Sequence, residues 1–444
     1  IFMWLSGMNR PDFRTINRFR SERLADGRFE TIFRQVVELL HDEGLISLDV
    51  QYIDGTKIES VANKYTFVWK GSVEKNKAKL IAKVDGVLKE AEAVLEEENA
   101  GEPQEEITKE DLQKRTDRIL ERMDRDGVSD KNLRKAVSKV KEESLPKLDE
   151  YDKHLEILGE RNSYSKTDPD ATFMHMKEDA MNNGQTKPGY NVQIATENQY
   201  IVNYDLYWRP TDYGTLIPFL ESFYDGYGFY SSEIVADSGY GSEQNYEFMF
   251  ANGMTPYVKY NLFHKEMKRK FLKNPFHQAN MFYNQEQDFY VCPMGQRMEH
   301  VADKKTVSDL GYVSHTSLYK TANCSGCPFR GMCYNGKDDR RTIEVNHRAN
   351  SFKNSAKTLL TSDRGLMHRS KRPIEPESCF GNIKFNHGFK RFHLKSTRKT
   401  KVEWGLVSLA HNLRKYVAHK AKIREKYAQN MMIVIEEPLL KVAV

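Results

Sequence analysis

Cysteine is scarce in this chain of 444 residues, which contains only five. So few cysteines cannot form the disulfide framework of a small secreted protein, and they favour a reducing compartment. Long apolar runs are also lacking, and the late run Met431–Ile435 is far too short to span a bilayer. The opening residues lack the charged region of a signal peptide. We therefore expect a soluble, cytoplasmic protein.

An excess of charge of one sign is nearly absent, because 68 Lys and Arg residues stand against 63 Asp and Glu residues. The net charge of +5 is a weak indication of nucleic-acid binding, so local clusters of charge carry more information. The length allows two or three domains. The chain begins at Ile1 rather than at Met, and we expect that an N-terminal part is missing.

Residues 1–44 are predicted to be helical. Pro11 and Asp12 are typical of a helix start, and arginines crowd the faces that the apolar residues leave free. Arg14 and Arg18 could bind DNA phosphates as part of a helix-turn-helix, or they could belong to a solvated helix face. The sequence only slightly favours the DNA-binding interpretation.

Two short apolar segments each end in an aspartate. Apolar and polar residues alternate over residues 45–54 as in a strand, and Asp54 falls on the same face as the apolar residues. A turn is predicted at residues 55–57. Residues 234–236 are apolar and run into Asp237, after which glycines allow a tight turn. A buried carboxylate needs a partner. Asp237 is therefore either satisfied by backbone amides at a strand-to-helix turn or one of several acids that converge.

The chain before residue 260 is predicted to form a mixed α/β sheet with a helical insertion. Residues 45–70 and 166–259 hold strand, hairpin and helix patterns in an order typical of a mixed sheet. Asp212 is predicted to cap a helix over residues 213–223. Residues 71–165 are rich in Lys and Glu and carry apolar residues at helical spacing, which indicates a helical or coiled-coil insertion. A structural role is the simpler interpretation of that insertion, and dimerisation is the alternative.

A second insertion, residues 260–350, holds four of the five cysteines. Cys324 and Cys327 have two-residue spacing, and the other two are Cys292 and Cys333. Four thiolates form a closed tetrahedral site for a structural zinc ion. The alternative is a set of reduced core cysteines.

Residues 351–420 are predicted to be helical and basic. Glu375 precedes Pro376 and is biased away from helix, whereas Glu377 falls in the first helical turn. Lys384 lies two turns further along the same face. Cations and aromatic residues around them form a cluster typical of a surface that binds a phosphate backbone. The cluster consists of Arg369, Lys371, Arg372, Lys390, Arg391, Lys395, Arg398, Lys399, Lys401, Phe385, Phe389 and Phe392.

Several sequence blocks, each weak alone, together resemble a known family. They are Tyr52–Ile58 with Asn63–Phe67, Lys187–Gln193, Val235–Gly241, Ile374–Lys384, Gly388–Phe392, Glu403 with Trp404, and His411–Leu413. The cysteine block matches as well. Over most of residues 1–420, the chain resembles a bacterial insertion-sequence transposase of the IS1182 type, within the wider DDE transposases.

The resemblance implies a catalytic triad of Asp54, Asp237 and Glu377 on an RNase H-like fold. Such a triad would bind two Mg²⁺ (or Mn²⁺) ions, which prefer oxygen ligands and promote in-line displacement at phosphorus. The spacing in related transposases also points to Lys384 as a contact to DNA. Arg372 stands one place from the position where related families often carry an arginine.

The resemblance also implies a domain organisation and partners. Its parts are an N-terminal helical region (1–44), a catalytic core (45–70, 166–259 and 351–420), the two insertions (71–165 and 260–350) and a tail (421–444). The implied partner is double-stranded DNA, as terminal inverted repeats and as target, bound by a homodimer at the nucleoid. The predicted DNA contacts are Lys384, Arg372, Lys390, Arg391, Arg14 and Arg18. The alternatives are a Mg²⁺-dependent nuclease or resolvase of the same fold, and a non-catalytic, zinc-containing DNA-binding remnant.

Overall fold

The computed structural model describes residues 7–95, 108–126, 130–176 and 185–436, and the side chains of the last helix up to residue 425. Backbone contacts divide the chain into two compact units. Unit 1 comprises residues 1–56, 191–390 and 398–444, and unit 2 comprises residues 57–190 and 391–397. The predicted helical insertion falls within unit 2, and the predicted cysteine-containing insertion falls within unit 1.

The elements alternate between strands and helices over most of the chain. The strands are β1 (Val50–Glu59), β2 (Phe67–Trp69), β3 (Ser163–Ser165), β4 (Thr172–His175), β5 (Thr186–Glu197), β6 (Tyr200–Tyr207), β7 (Glu233–Ala236), β8 (Thr255–Val258), β9 (Phe282–Asn284), β10 (Phe289–Val291), β11 (Arg297–Val307), β12 (Val313–Thr321) and β13 (Thr342–Val345). The α-helices are α1 (Phe13–Arg18), α2 (Arg28–Asp42), α3 (Lys70–Val94), α4 (Lys109–Arg125), α5 (Lys131–Lys139), α6 (Leu145–Leu158), α7 (Leu216–Tyr227), α8 (Glu243–Ala251), α9 (Phe263–Glu266), α10 (Arg269–Leu272), α11 (His347–Thr361), α12 (Asp363–Lys371), α13 (Pro376–Gly381) and α14 (Thr397–Glu436). The predicted mixed α/β class is confirmed.

The central sheet of unit 1 contains both parallel and antiparallel pairs. Its strands lie in the order β5–β1–β7–β8, and β6 pairs with β5 in an antiparallel hairpin. β1 and β7 are parallel, with Tyr52 opposite Val235, and β7 and β8 are also parallel. Parallel neighbours place their carboxyl ends at the same edge of the sheet, which is where ligands bind in open α/β sheets. Asp54 and Asp237 each follow that opposed pair by two residues, so strand alternation places both on one face there.

One predicted turn is wrong, because β1 does not end at residue 54. The strand continues to Glu59 through Gly55. A Cβ atom on Gly55 would lie 2.2 Å from Nε2 of Gln193 and 2.5 Å from Oδ1 of Asp212. A glycine inside a strand often marks such a close approach of neighbouring groups rather than a turn.

Unit 2 contains the helices predicted for residues 71–165. Helices α3 to α6 pack around a shared apolar core that includes Val84, Leu88, Ile119 and Leu148. These residues follow the helical spacing read from the sequence. Within the described part of unit 2, residues 172–175 of β4 pair with residues 186–189 of β5.

The cysteine-containing segment of unit 1 forms an antiparallel sheet of its own. Its five strands lie in the order β13–β12–β11–β10–β9. A small core that includes Tyr290, Met298 and Tyr319 packs on it. Across the described residues, including the 40-residue helix α14, no helix combines the length and apolar character that crossing a bilayer requires.

Candidate active site

Two aspartates, one within β1 and one directly after β7, lie at neighbouring positions of the central sheet in unit 1. Asp54 is 7% exposed and accepts a hydrogen bond from the backbone N–H of Gly55 at 2.9 Å. Asp237 directly follows β7, and its Oδ1 accepts from the backbone N–H of Gly239 at 2.8 Å. Asp237 therefore makes the turn contact that the sequence suggested. Its Oδ2 instead faces the guanidinium of Arg372.

The third predicted acid comes from the start of helix α13. Pro376 begins α13, and Glu377 lies in its first turn with a side chain that is 54% exposed. Glu375 is buried, and its Oε2 accepts from the backbone N–H of Gln199 at 2.7 Å. Burial raises the pKa of the Glu375 carboxyl. The two glutamates therefore occupy different environments, one structural and the other open.

Arg372 brings the three acids together. Its Nη2 lies 3.2 Å from Oδ1 of Asp54 and 3.5 Å from Oδ2 of Asp237. Its Nη1 lies 3.4 Å from Oε1 of Glu377. A fork of N–H groups is suited to bridging carboxylates in this way. The three acids predicted from separate parts of the chain therefore surround one guanidinium.

The arginine at the centre of this cluster is buried but incompletely paired. Arg372 is 8% exposed. Its Nε–H has no hydrogen-bond acceptor among the described residues. Buried N–H groups are nearly always paired, and each exception needs an explanation.

Asp212 is a fourth carboxylate at this edge of the sheet, and its predicted role as a helix cap is wrong. Helix α7 begins at Leu216 without a side-chain cap. Oδ1 of Asp212 instead accepts from Nδ2 of Asn191 at 3.0 Å and from Nε2 of Gln193 at 2.8 Å. A Cβ atom on Gly239 would lie 3.5 Å from Oδ2 of Asp212 and 3.1 Å from Oδ1 of Asp237. The two aspartates are therefore close neighbours.

A buried tyrosine lies within the electrostatic reach of the same acids. Tyr240 is fully buried and donates a hydrogen bond to Oε1 of Gln193. Burial raises the pKa of its hydroxyl, and the charges of Asp212, Asp54 and Asp237 raise it further. Tyr240 therefore stays neutral and acts as a donor that fixes the amide of Gln193.

Other cations differ in how accessible they are. Lys384, predicted to touch DNA, is only 4% exposed. Arg14, Arg18 and Lys390 are exposed, and the Lys390 ammonium lies 4.9 Å from the Phe385 ring centroid. In unit 2, Arg391 is exposed and donates to the carbonyl oxygen of Ser60 at 3.1 Å. Four of the predicted DNA contacts are thus on the surface, whereas Lys384 and Arg372 are buried.

A second cation near the acids is Lys259. Burial lowers the pKa of its ammonium, and the nearby charges of Arg372 and Arg369 lower it further, while Asp237 and Glu377 oppose that change. Besides Arg372, a second cationic side chain of the protein therefore lies within electrostatic reach of Asp237 and Glu377.

The donor chemistry of the acid cluster suits a hard divalent cation, because such ions prefer carboxylate oxygens. The present arrangement is one of ion pairs. In the part of the chain that the structure describes, no group of three or more His, Cys, Asp or Glu side chains is arranged to hold a metal ion. Arg372 stands between the oxygens that such an ion would need.

The four cysteines of the second insertion line one small cavity. Cys292, Cys324, Cys327 and Cys333 all contribute to its wall, together with Arg341. Nη1 of Arg341 donates to Sγ of Cys333 at 2.8 Å. The sequence predicted that these cysteines belong together, and they do share one cavity.

Residues 291–417 match the family model described as the transposase DDE domain. The predicted resemblance to DDE transposases is therefore confirmed, and the IS1182 type stays a prediction. The matched segment contains Arg372 and Glu377, whereas Asp54 and Asp237 precede it. Neither a curated protein nor a solved structure matches the chain.

Proposed function

We propose that this protein is a DNA transposase that cleaves the ends of a transposable element and joins the freed 3′-OH groups to target DNA. The observation that supports the proposal is the convergence of Asp54, Asp237 and Glu377 on Arg372. The family match supplies the substrate class. An RNase H-like topology for the split core is part of the same proposal.

In the proposed site, Asp54, Asp237 and Glu377 would hold divalent cations, Mg²⁺ or Mn²⁺. Such ions, when bound, supply Lewis acidity at the scissile phosphate and activate water or a 3′-OH. The fold fixes the positions of the three carboxylates. Asp54 and Asp237 are fixed by adjacent parallel strands, and Glu377 enters from a helix whose first turn is open to solvent.

DNA would bind through the exposed cations. Arg14, Arg18 and Lys390 are on the surface of unit 1, and Arg391 is on the surface of unit 2. Phosphate contacts of this kind make affinity fall as salt concentration rises. A homodimer that holds two element ends together is proposed from the resemblance, as is action at the nucleoid.

The decisive experiment compares the wild-type protein with Asp237→Asn on a supercoiled plasmid that carries the native flanks of the element. We expect Mg²⁺-dependent cleavage at the element ends by the wild type and its loss in the variant. The matched control is Asp225→Asn, which removes an exposed aspartate of α7 and should cleave normally. Full cleavage by Asp237→Asn would remove this residue from the site.

The products separate the proposed function from its alternatives. Covalent joining of a 3′ end to a second plasmid indicates transposition. Cleavage without joined products indicates a nuclease or resolvase. DNA binding without any cleavage by the wild type indicates a non-catalytic remnant.

We also propose that the cavity shared by the four cysteines takes up a structural zinc ion. Four thiols are the donor set of a closed zinc site, and these four line one cavity, although among the described residues they are not yet arranged around a metal position. The test is the zinc content of protein purified without chelators. Cys324→Ser and Cys327→Ser should lose zinc, whereas Cys379→Ala, in helix α13, should keep it. A zinc-free wild-type protein would favour reduced core cysteines.

A further inference from the structure

The centre of the acid cluster is filled by a cation that belongs to the protein itself. The guanidinium of Arg372 lies within 3.5 Å of one oxygen each of Asp54, Asp237 and Glu377. One positive charge faces three carboxyl groups, so the cluster remains negative when all three are ionised. Positive charge at this point relieves the repulsion among acids that the fold holds close together.

Arg372 is not fully satisfied in this position. Its side chain is nearly buried, yet its Nε–H has no acceptor among the described residues. A residue with a permanent structural role in a buried ion-pair network usually has its donors satisfied. Arg364, in the first turn of α12, provides the contrast: its side chain is more exposed, yet its Nε and Nη2 both bond to the single carboxylate of Glu233.

We propose that Arg372 occupies the place of a divalent cation in the metal-free protein, so that the arginine side chain and the metal ion compete for the oxygens of Asp54, Asp237 and Glu377. This proposal rests on the proposed function. Among the described residues the three acids form ion pairs with Arg372 and no metal-holding group. The displaced guanidinium would keep its fork of donors for a DNA phosphate, to which arginine is well matched.

Direct metal binding by the full-length protein without DNA tests the competition. Free Mn²⁺ is measured by electron paramagnetic resonance for the wild type, Arg372→Gln and the control Arg364→Gln. We expect Arg372→Gln to bind Mn²⁺ roughly tenfold more tightly, since the charge-assisted bonds that oppose binding are gone. Arg364→Gln should match the wild type. Equal or weaker Mn²⁺ binding by folded Arg372→Gln, or none at all, would overturn the proposal.

Thermal unfolding gives a second readout that does not depend on catalysis. In EDTA, Arg372→Gln should melt below the wild type, because its acids repel each other without a cation between them. Mg²⁺ should then raise its melting temperature by more than it raises that of the wild type. A Mg²⁺-induced rise of the same size in both proteins contradicts competition.

A charge-preserving variant covers the case in which Arg372→Gln does not fold without metal. Arg372→Lys keeps one cation but cannot bridge three carboxylates with a planar fork. Its Mn²⁺ affinity should lie above that of the wild type, and an affinity at or below the wild-type value would count against the proposal. Cleavage by Asp237→Asn tests the proposed function separately, so either idea can fail while the other stands.

Discussion

Nη2 of Arg372 lies 3.2 Å from Oδ1 of Asp54, although the two residues are far apart in the sequence. The same nitrogen lies 3.5 Å from Oδ2 of Asp237, so one atom connects a carboxylate within β1 with a carboxylate directly after the adjacent parallel strand β7. The register of those strands fixes the two aspartates, whereas Arg372 at the end of α12 and Glu377 in the first turn of α13 come from one short stretch of chain. The site is thus assembled within unit 1 from three distant segments.

The two glutamates that flank Pro376 should respond differently to neutralisation. Glu377→Gln is expected to lower cleavage by about 100-fold or more, because the metal ions, which contribute several kcal/mol to stabilising the transition state, would lose a ligand. It should leave stability nearly unchanged, because that side chain is 54% exposed. Cleavage assays and urea unfolding on the same preparation measure both effects.

Glu375→Gln serves as the matched control for that prediction. The amide oxygen can still accept from the N–H of Gln199, so we expect cleavage near the wild-type rate. Because burial raises the folded-state pKa of Glu375, ionising it costs stability as the pH rises above its ordinary value. The variant should therefore be at least as stable as the wild type at pH 7. Loss of cleavage in Glu375→Gln but not in Glu377→Gln would place Glu375, and not Glu377, in the catalytic site.

Asp212→Asn tests whether the fourth carboxylate takes part in the site. An asparagine can keep its oxygen toward Asn191 and Gln193, so the hydrogen-bond network survives and only the charge and the second oxygen are lost. We expect cleavage to fall about 10–100-fold, as for residues that orient the ligands of a metal site.

The free energy of unfolding of Asp212→Asn should change by less than about 1 kcal/mol, because the packing is conserved. Asp225→Asn again controls for the lost charge. Wild-type cleavage by Asp212→Asn would make Asp212 a purely structural neighbour.

Much of the site could be predicted because its residues break the local pattern of their own segments. Asp54 is a charged residue at a position that the strand alternation assigns to the apolar face, and Asp237 ends an apolar run. The helical insertion was predictable from its 3.6-residue apolar period, since Val84, Leu88 and Leu148 face one core. Local periodicity indicates which face of a strand or helix is buried, and the predictions for Asp54 and for the helical insertion depend on that face.

The remaining features depend on contacts between distant segments, about which local patterns say little. Asp212 follows a strand and precedes a helix, so a cap was the simplest prediction for it. Its actual partners, Asn191 and Gln193, lie on a neighbouring strand. Arg372 stood within a run of cations that indicated DNA binding, and only the tertiary fold places it among carboxylates. Gly55 looked like a turn because a close approach across strands leaves no local signal.

Gly55→Ala should damage both stability and activity. The new methyl group would overlap Nε2 of Gln193 and Oδ1 of Asp212, which lie 2.2 and 2.5 Å from the Cβ position. Overpacking of this kind costs about 1–3 kcal/mol, and here it also displaces the amide that holds Asp212. Urea unfolding and cleavage assays measure the two losses.

Gly86→Ala is the contrasting substitution, because it lies inside α3 with nothing within 4 Å of the added atom. It should stabilise unit 2 by about 0.5–1 kcal/mol, since alanine loses less conformational freedom in a helix. If Gly55→Ala were as stable as Gly86→Ala, the close approach at β1 would not exist in solution.

His411 should make the protein less stable in mild acid. Burial lowers the pKa of its imidazole, although the hydrogen bond between Nε2 and the carbonyl oxygen of Gln199 opposes that change. Near and below the ordinary histidine pKa of about 6.5, the unfolded chain therefore binds a proton that the folded chain refuses. Stability contributed by the neutral ring is present above that pH and is lost as the pH falls toward the lowered folded value. Urea unfolding at pH 7.5 and 5.5 should show a smaller acid-induced loss of stability for His411→Gln than for the wild type.

The control for this prediction is His419→Gln, which changes an exposed histidine of the same helix and should behave as the wild type. An equal loss in His411→Gln and the wild type would assign the acid sensitivity to other groups.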